Sequence, residues 1–128
     1  MLFDTNLLMI AFEEPVDVVK RVEELLEAKI EPVILTAQLQ ELERIASSER
    51  RWKASRIARA VLDYVKTKFK VIESCELRVD DAIVKVAEKE GCIVATNDRE
   101  LRRRLRSIGV TVIYMKSDGR FELEGCQP

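Results

Sequence analysis

Short strand-like apolar runs alternate along this chain with segments of helical periodicity, joined by short links. That alternation constrains the fold more than any other feature. It leaves little besides a parallel sheet covered by helices on both faces. Met1 to Phe3 opens an apolar segment that passes through a polar corner at Asp4, Thr5 and Asn6 into Leu7 to Phe12. Pro15 suits the first turn of a helix, and Val18, Val19, Val22, Leu25 and Leu26 then recur on one helical face. Pro32 to Leu35 reads as a second strand. Thr36 is placed to cap the next helix, which carries Leu39, Leu42 and Ile45. After a polar break at Ser47 to Arg51, Ala54, Ile57, Ala58, Val61, Leu62 and Val65 mark a long amphipathic helix.

The second half repeats the pattern. Phe69 to Ile72 is a strand, and Asp80 or Asp81 begins a helix that Gly91 stops. Cys92 to Ala95 is a short, wholly apolar strand of the buried parallel kind. Asp98 to Ser107 forms a helix ended by Gly109, Val110 to Tyr114 a fifth strand, and Phe121 to Leu123 a short edge strand. The expectation is one three-layer α/β/α domain over residues 1–128, with a central parallel sheet of about five strands and a loose tail over 124–128.

Composition removes several chemistries. The chain has no histidine, which excludes Ser-His-Asp and Cys-His catalysis, histidine acid–base ribonuclease chemistry and histidine-ligated zinc. Three cysteines, Cys75, Cys92 and Cys126, form no CxxC pair and no disulfide framework. They read as two buried small residues and a tail thiol, in a reducing, cytoplasmic setting. The four glycines build no phosphate loop. An acid inside the first apolar run argues against a signal peptide, and no run approaches the roughly 20 apolar residues of a membrane span. A net charge of −1 gives no broad attraction to nucleic acid, so any RNA contact must be local or assisted by metal ions.

In sheets of this kind, ligands bind outside the carboxyl ends of the strands, where the strand order reverses. Asp4 ends the first strand and Asp98 lies three residues past Ala95 at the end of the fourth. Glu41 sits one to two turns into the helix leaving strand two, and Asp81 near the start of the helix that feeds strand four. Each of the last three has a plain structural alternative: helix capping for Asp98 and for Asp80 or Asp81, a solvated surface for Glu41. Asp4 is harder to dismiss, because a carboxylate in an apolar strand is costly to bury unpaired. Converging carboxylates suit hard divalent cations, which activate water and neutralise charge developing on a phosphate. Such chemistry needs no histidine.

Four segments, in order, resemble the motifs of the PIN-domain ribonucleases: Leu2-Phe3-Asp4-Thr5-Asn6, Ile34-Leu35-Thr36 through Glu41-Leu42, Asp80-Asp81-Ala82-Ile83, and Ala95-Thr96-Asn97-Asp98-Arg99-Glu100-Leu101. The resemblance implies a PIN-like fold and an endoribonuclease that uses Mg²⁺ or Mn²⁺. It carries Asp4, Glu41, Asp81 and Asp98 over as metal ligands, with Asp80 possible instead of or beside Asp81. Thr5, Asn6, Thr96 and Asn97 follow as groups that orient ligands and water. It also implies an RNA substrate and a homodimer. The stretch from Asp80 through Arg104 looks most like the PIN proteins of archaeal and eukaryotic rRNA processing, whose partners are ribosome-assembly proteins. The alternatives are a toxin ribonuclease paired with an antitoxin, and a catalytically weak RNA-binding or assembly module.

Two basic clusters are candidates for RNA contact. Arg99, Arg102, Arg103, Arg104 and Arg106 crowd one helix, either as phosphate ligands or as a solvated face behind Leu101 and Leu105. Arg50, Arg51, Trp52 and Lys53 form the second. Trp52 there is either a base-stacking residue, a partly buried helix start or a dimer contact.

Overall fold

A computed structural model of the chain describes residues 1–74 and 78–125. Cys75, Cys126 and the last three residues of the expected tail lie outside the described residues. The order of elements is β1 (Leu2–Phe3), α1 (Thr5–Glu13), α2 (Val18–Leu26), β2 (Val33–Leu35), α3 (Thr36–Ala46), α4 (Trp52–Lys68), β3 (Lys70–Ile72), α5 (Val79–Glu90), β4 (Val94–Ala95), α6 (Arg99–Ser107), β5 (Val112–Met115) and β6 (Phe121–Glu124).

One sheet runs in the order β3-β2-β1-β4-β5-β6. The first five strands are parallel, and β6 is antiparallel to β5, with Met115 opposite Phe121. The expected parallel sheet is present, with β6 as a sixth strand. Consecutive side chains in a strand point to opposite faces, and both faces here are apolar. Phe3, Ile34, Ala95 and Ile113 join one core with residues of α1, α2 and α4, including Leu7, Val22, Val61 and Val65. Leu2, Val33, Leu35, Val94 and Val112 join the other with Ile83 and Ala87 of α5 and Leu101 and Leu105 of α6. The two cores are the reason the fold has three layers. Edge-to-face contacts of Phe3 with Phe69 and of Tyr64 with Phe69, at centroid separations of 5.5 and 5.6 Å, tie α4 to the first face.

Local chemistry differs from expectation in a few places. Pro15 lies in the link before α2, and Asp17 is the cap, accepting from the Lys20 N–H at 3.1 Å. Thr36 is already the first residue of α3 rather than its cap. Its hydroxyl bonds with Ser74 instead, and Ser74 N–H donates back to it at 3.0 Å. Gln38 takes over the capping work, accepting from Leu35 N–H at 3.0 Å. Glu124, the first residue of the expected tail, pairs with Val112 in β6. Cys92 is half-buried and forms no disulfide among the described residues. Among the described residues, no helix is long and apolar enough to cross a membrane.

Candidate active site

The chain leaves β1 for β2 on one side, while β4 lies on β1's other side, so the strand order reverses between β1 and β4. In open sheets of this kind, the carboxyl end of such a pair is where the ligand-binding crevice lies. Asp4 stands on one lip, and Thr96, Asn97 and Asp98 form the other. Asp4 N–H still reaches across to Ala95 C=O at 2.8 Å, which fixes the carboxylate at the mouth.

Asp4 is only 4% exposed. Its Oδ2 accepts from the Thr96 hydroxyl at 2.7 Å, and Thr96 Oγ1 accepts in turn from Asp98 N–H at 3.1 Å. No basic side chain pairs with Asp4 among the described residues. Burial pushes its carboxyl up to about 6; the Thr96 hydroxyl pulls the other way, and like-charge repulsion from Asp80, Glu41 and Asp98 adds to the rise. Asp98 caps α6 through Oδ1, which accepts from Leu101 N–H at 3.0 Å. Capping and a place beside Asp4 are therefore not alternatives for Asp98, because a carboxylate has two oxygens and the cap uses one. Glu41 stands on α3, half-buried and within electrostatic reach of Asp4.

The two adjacent aspartates at the start of α5 part company. Asp80 is half-buried, and its carboxyl is raised by burial first and by Asp98 next, against the pull of Arg104 and Arg78. Asp81 turns to Arg104, with Oδ1 to Nη2 at 2.8 Å. Helical residues one apart point about 100° away from each other, which lets the two carboxyls take different neighbours. The resemblance prefers Asp81 and leaves Asp80 open; in the structure Asp80 is within electrostatic reach of Asp4 and Asp98, while Asp81 is paired with Arg104. Among the described residues, no three acids stand close enough to grip a single ion as they are placed.

The expected orienting residues divide as well. Thr96 touches Asp4 directly. Thr5 is buried and accepts from Gln38 Nε2 at 3.3 Å, so it braces the backbone rather than the crevice. Asn97 is locked to β5, donating to Met115 C=O at 2.9 Å and accepting from Met115 N–H at 2.8 Å. Asn6 is exposed on α1 and faces a groove that also borders Asp98.

Gln38 is the residue that sequence reasoning missed. It is fully buried, and its Nε2 donates to Phe3 C=O at 2.7 Å while its Oε1 holds the first N–H of the α3 turn. The available signal was a Gln three residues into a helix, in the position that a capping box uses.

The arginine helix is largely structural. Arg102 lies over the Tyr114 ring, 3.9 Å from its centroid, and pairs with Glu124 at 3.3 Å. Arg104 holds Asp81, and Arg106 donates to Val110 C=O at 3.0 Å. Arg99 and Arg103 are exposed without a partner among the described residues. In the second cluster Lys53 pairs with Glu13 at 3.1 Å. Trp52 begins α4 as expected, but it is 65% exposed rather than partly buried.

Comparison with known proteins decides what this arrangement belongs to. A family model described as a PIN like domain matches residues 1–118. The chain belongs to the PIN-domain family. It is 36% identical to Ribonuclease VapC9 of Archaeoglobus fulgidus over 124 residues, spanning 94% of this chain and 86% of that protein. It is 31% identical to the rRNA-processing protein FCF1 homolog of Homo sapiens over 128 residues, 97% of this chain and 60% of that protein. The solved structure of the PIN domain endonuclease Utp24 superposes with a TM-score of 0.76 at 26% identity, covering 98% of this chain and 90% of that one. The family read from the four motifs and the α/β architecture read from the strand–helix alternation are thereby established, and the relatives include ribonucleases and rRNA-processing proteins alike.

Proposed function

We propose that this chain is an endoribonuclease that cleaves RNA phosphodiester bonds with the help of Mg²⁺ or Mn²⁺. One observation carries the reading. A buried carboxylate, Asp4, sits without a basic partner among the described residues at the strand-order reversal, facing three further acids. A structural carboxylate would be neutralised by an arginine or lysine, as Asp81 is. An uncompensated acid set is instead the donor chemistry that a hard, doubly charged cation requires.

Asp4, Glu41, Asp80 and Asp98 would hold the ion or ions, and a bound divalent cation supplies water activation and neutralises charge on the phosphate. The chain's own residues do the positioning. Thr96 aims the Asp4 carboxylate through its hydroxyl and, through the same oxygen, holds the backbone of Asp98. The α6 cap fixes Asp98's rotamer, leaving its second oxygen for the crevice. Gln38 ties the end of β1 to the start of α3 and so sets Asp4 relative to Glu41. With no histidine in the chain, acid–base work falls to these carboxylates and to water.

Purified protein is expected to cut single-stranded RNA when Mn²⁺ or Mg²⁺ is added and to stop when EDTA is present. Failure to cut any of several unrelated RNAs with either ion would favour a binding or assembly role. Within the site, Asp80→Asn is expected to slow cleavage on the order of 100-fold by removing a ligand. Asp81→Asn breaks only a half-exposed ion pair and should stay within about 5-fold of wild type. The reverse ranking in a side-by-side rate assay would return the ligand role to Asp81. Cellular partners follow from the same reading: an antitoxin, for which a small overlapping open reading frame would be the sign, or ribosome-assembly proteins.

A further inference from the structure

A groove of about 720 Å³ runs away from the acid crevice along the seam between α1 and α4. Asn6 and Asp98 border its inner end, so it is continuous with the proposed cleavage site. Met9, Ile10 and Ile57 give it an apolar floor. At the start of α4 it meets Trp52, the single tryptophan of the chain, 65% exposed. Arg50 and Arg51, both exposed, stand beside it, and Arg56 lies 5.6 Å from the centre of the indole ring.

The exposed indole is not isolated: it lines the same groove as Met9, Ile10 and Ile57, and a contiguous apolar surface of this kind marks a binding site more often than a lone side chain does. Two kinds of group fit this setting: an apolar surface, or a flat ring carried on an anionic backbone. The surrounding charge decides between them. Arg50, Arg51 and, over the indole, Arg56 make this end of the groove cationic; the acids along the lining are Asp98 at the inner end and Glu13, which is paired to Lys53. Cations beside an exposed indole, one face of which lies under Arg56, at a groove that opens onto the proposed cleavage site, match single-stranded nucleic acid in both of its parts.

We propose that this groove is a base-binding subsite, in which a nucleobase flanking the scissile phosphate stacks on Trp52 while Arg50 and Arg51 contact adjoining phosphates. The proposal rests on the ribonuclease reading and deepens it. It assigns one side of the substrate strand to the α1–α4 seam rather than to the arginines of α6, most of which are engaged within the protein. Stacking tolerates any base, so the subsite selects for an unpaired strand more than for a sequence.

Because Trp52 is the only tryptophan, its fluorescence reports on the groove alone. A non-cleaving Asp4→Asn protein, titrated with single-stranded RNA in metal-free buffer, is expected to show quenched tryptophan emission in step with RNA anisotropy. Trp52→Ala is expected to weaken that binding on the order of 10-fold, Trp52→Phe much less, and neither to lower the melting temperature. Replacing the flanking nucleotide with an abasic one should mimic Trp52→Ala. RNA that binds by anisotropy while the emission stays constant would overturn the subsite and leave the ribonuclease reading intact. Quenching that follows protein concentration without RNA, together with a dimer in sedimentation, would assign the groove to a second copy and overturn it too. Loss of metal-dependent cleavage in the wild type, with quenching by RNA retained, would instead sink the ribonuclease reading and keep the groove as an RNA site.

Discussion

Asp4→Asn is expected to reduce metal-dependent RNA cleavage on the order of 1000-fold or more, and in metal-free buffer to make the fold more stable above about pH 6. The two effects come from one atom set. A metal ligand at the reversal point contributes several kcal/mol to stabilising the developing charge, and an amide cannot replace a carboxylate in that role. The stability effect has a definite sign. The folded-state value of about 6 lies above the ordinary 3.8, so the folded chain binds the proton more tightly than the unfolded one. Ionised Asp4 therefore costs stability. That cost is absent below about pH 4, grows between pH 4 and 6, and is complete above pH 6. At 1.36 kcal/mol per unit it amounts to at most about 3 kcal/mol, and asparagine removes it while still accepting from the Thr96 hydroxyl. Urea unfolding at pH 4.5 and 7.5 with EDTA should show the variant ahead of wild type by more at the higher pH. Added Mn²⁺ should reverse the order, since a cation stabilises the ionised wild-type carboxylate and not the amide. A variant markedly less stable than wild type at pH 7.5 without metal would make Asp4 a structural residue and remove the main support for the proposed site.

The second large effect concerns a residue that touches no substrate. Gln38→Leu is expected to cost about 3 kcal/mol of stability, roughly 10 °C in melting temperature, and to lower cleavage with it. Gln38 is fully buried, and its amide satisfies the Phe3 carbonyl and the Leu35 N–H at once. Leucine fills similar space but leaves both backbone groups buried without partners, at about 1–3 kcal/mol each. Gln38→Glu should not rescue, because a carboxylate accepts from Leu35 N–H but has no proton to donate to Phe3 C=O. A loss below about 1 kcal/mol for the leucine variant would mean that water or backbone movement satisfies those groups, and that Gln38 does not set the spacing of Asp4 and Glu41.

Much of this architecture can be read before any coordinates. Apolar runs of three or four residues between helical faces dictate a parallel sheet, since such runs are buried on both sides and their connections are too long for hairpins. Asp4 stands out on the same grounds, as a charge where the pattern demands an apolar side chain. Asp98 is legible for the opposite reason: it sits at a strand-to-helix corner, where an aspartate has work to do whatever the function. The arginines of α6 show the limit. Their spacing marks them as outward-facing, but it carries no information about Tyr114, Glu124 and Val110, which come from other elements and engage Arg102 and Arg106.

The sequence by itself determined the fold class, the family and the positions along the chain where carboxylates meet strand ends, because these depend on local periodicity and on the order of motifs. Tertiary structure decided that Asp81 turns to Arg104, which arginines are already engaged, and that Gln38 ties β1 to the start of α3. Those outcomes depend on the rotation of α5 against α6 and on the packing of α3 over β1. Such angles are set by the two cores together, so no short stretch of residues encodes them.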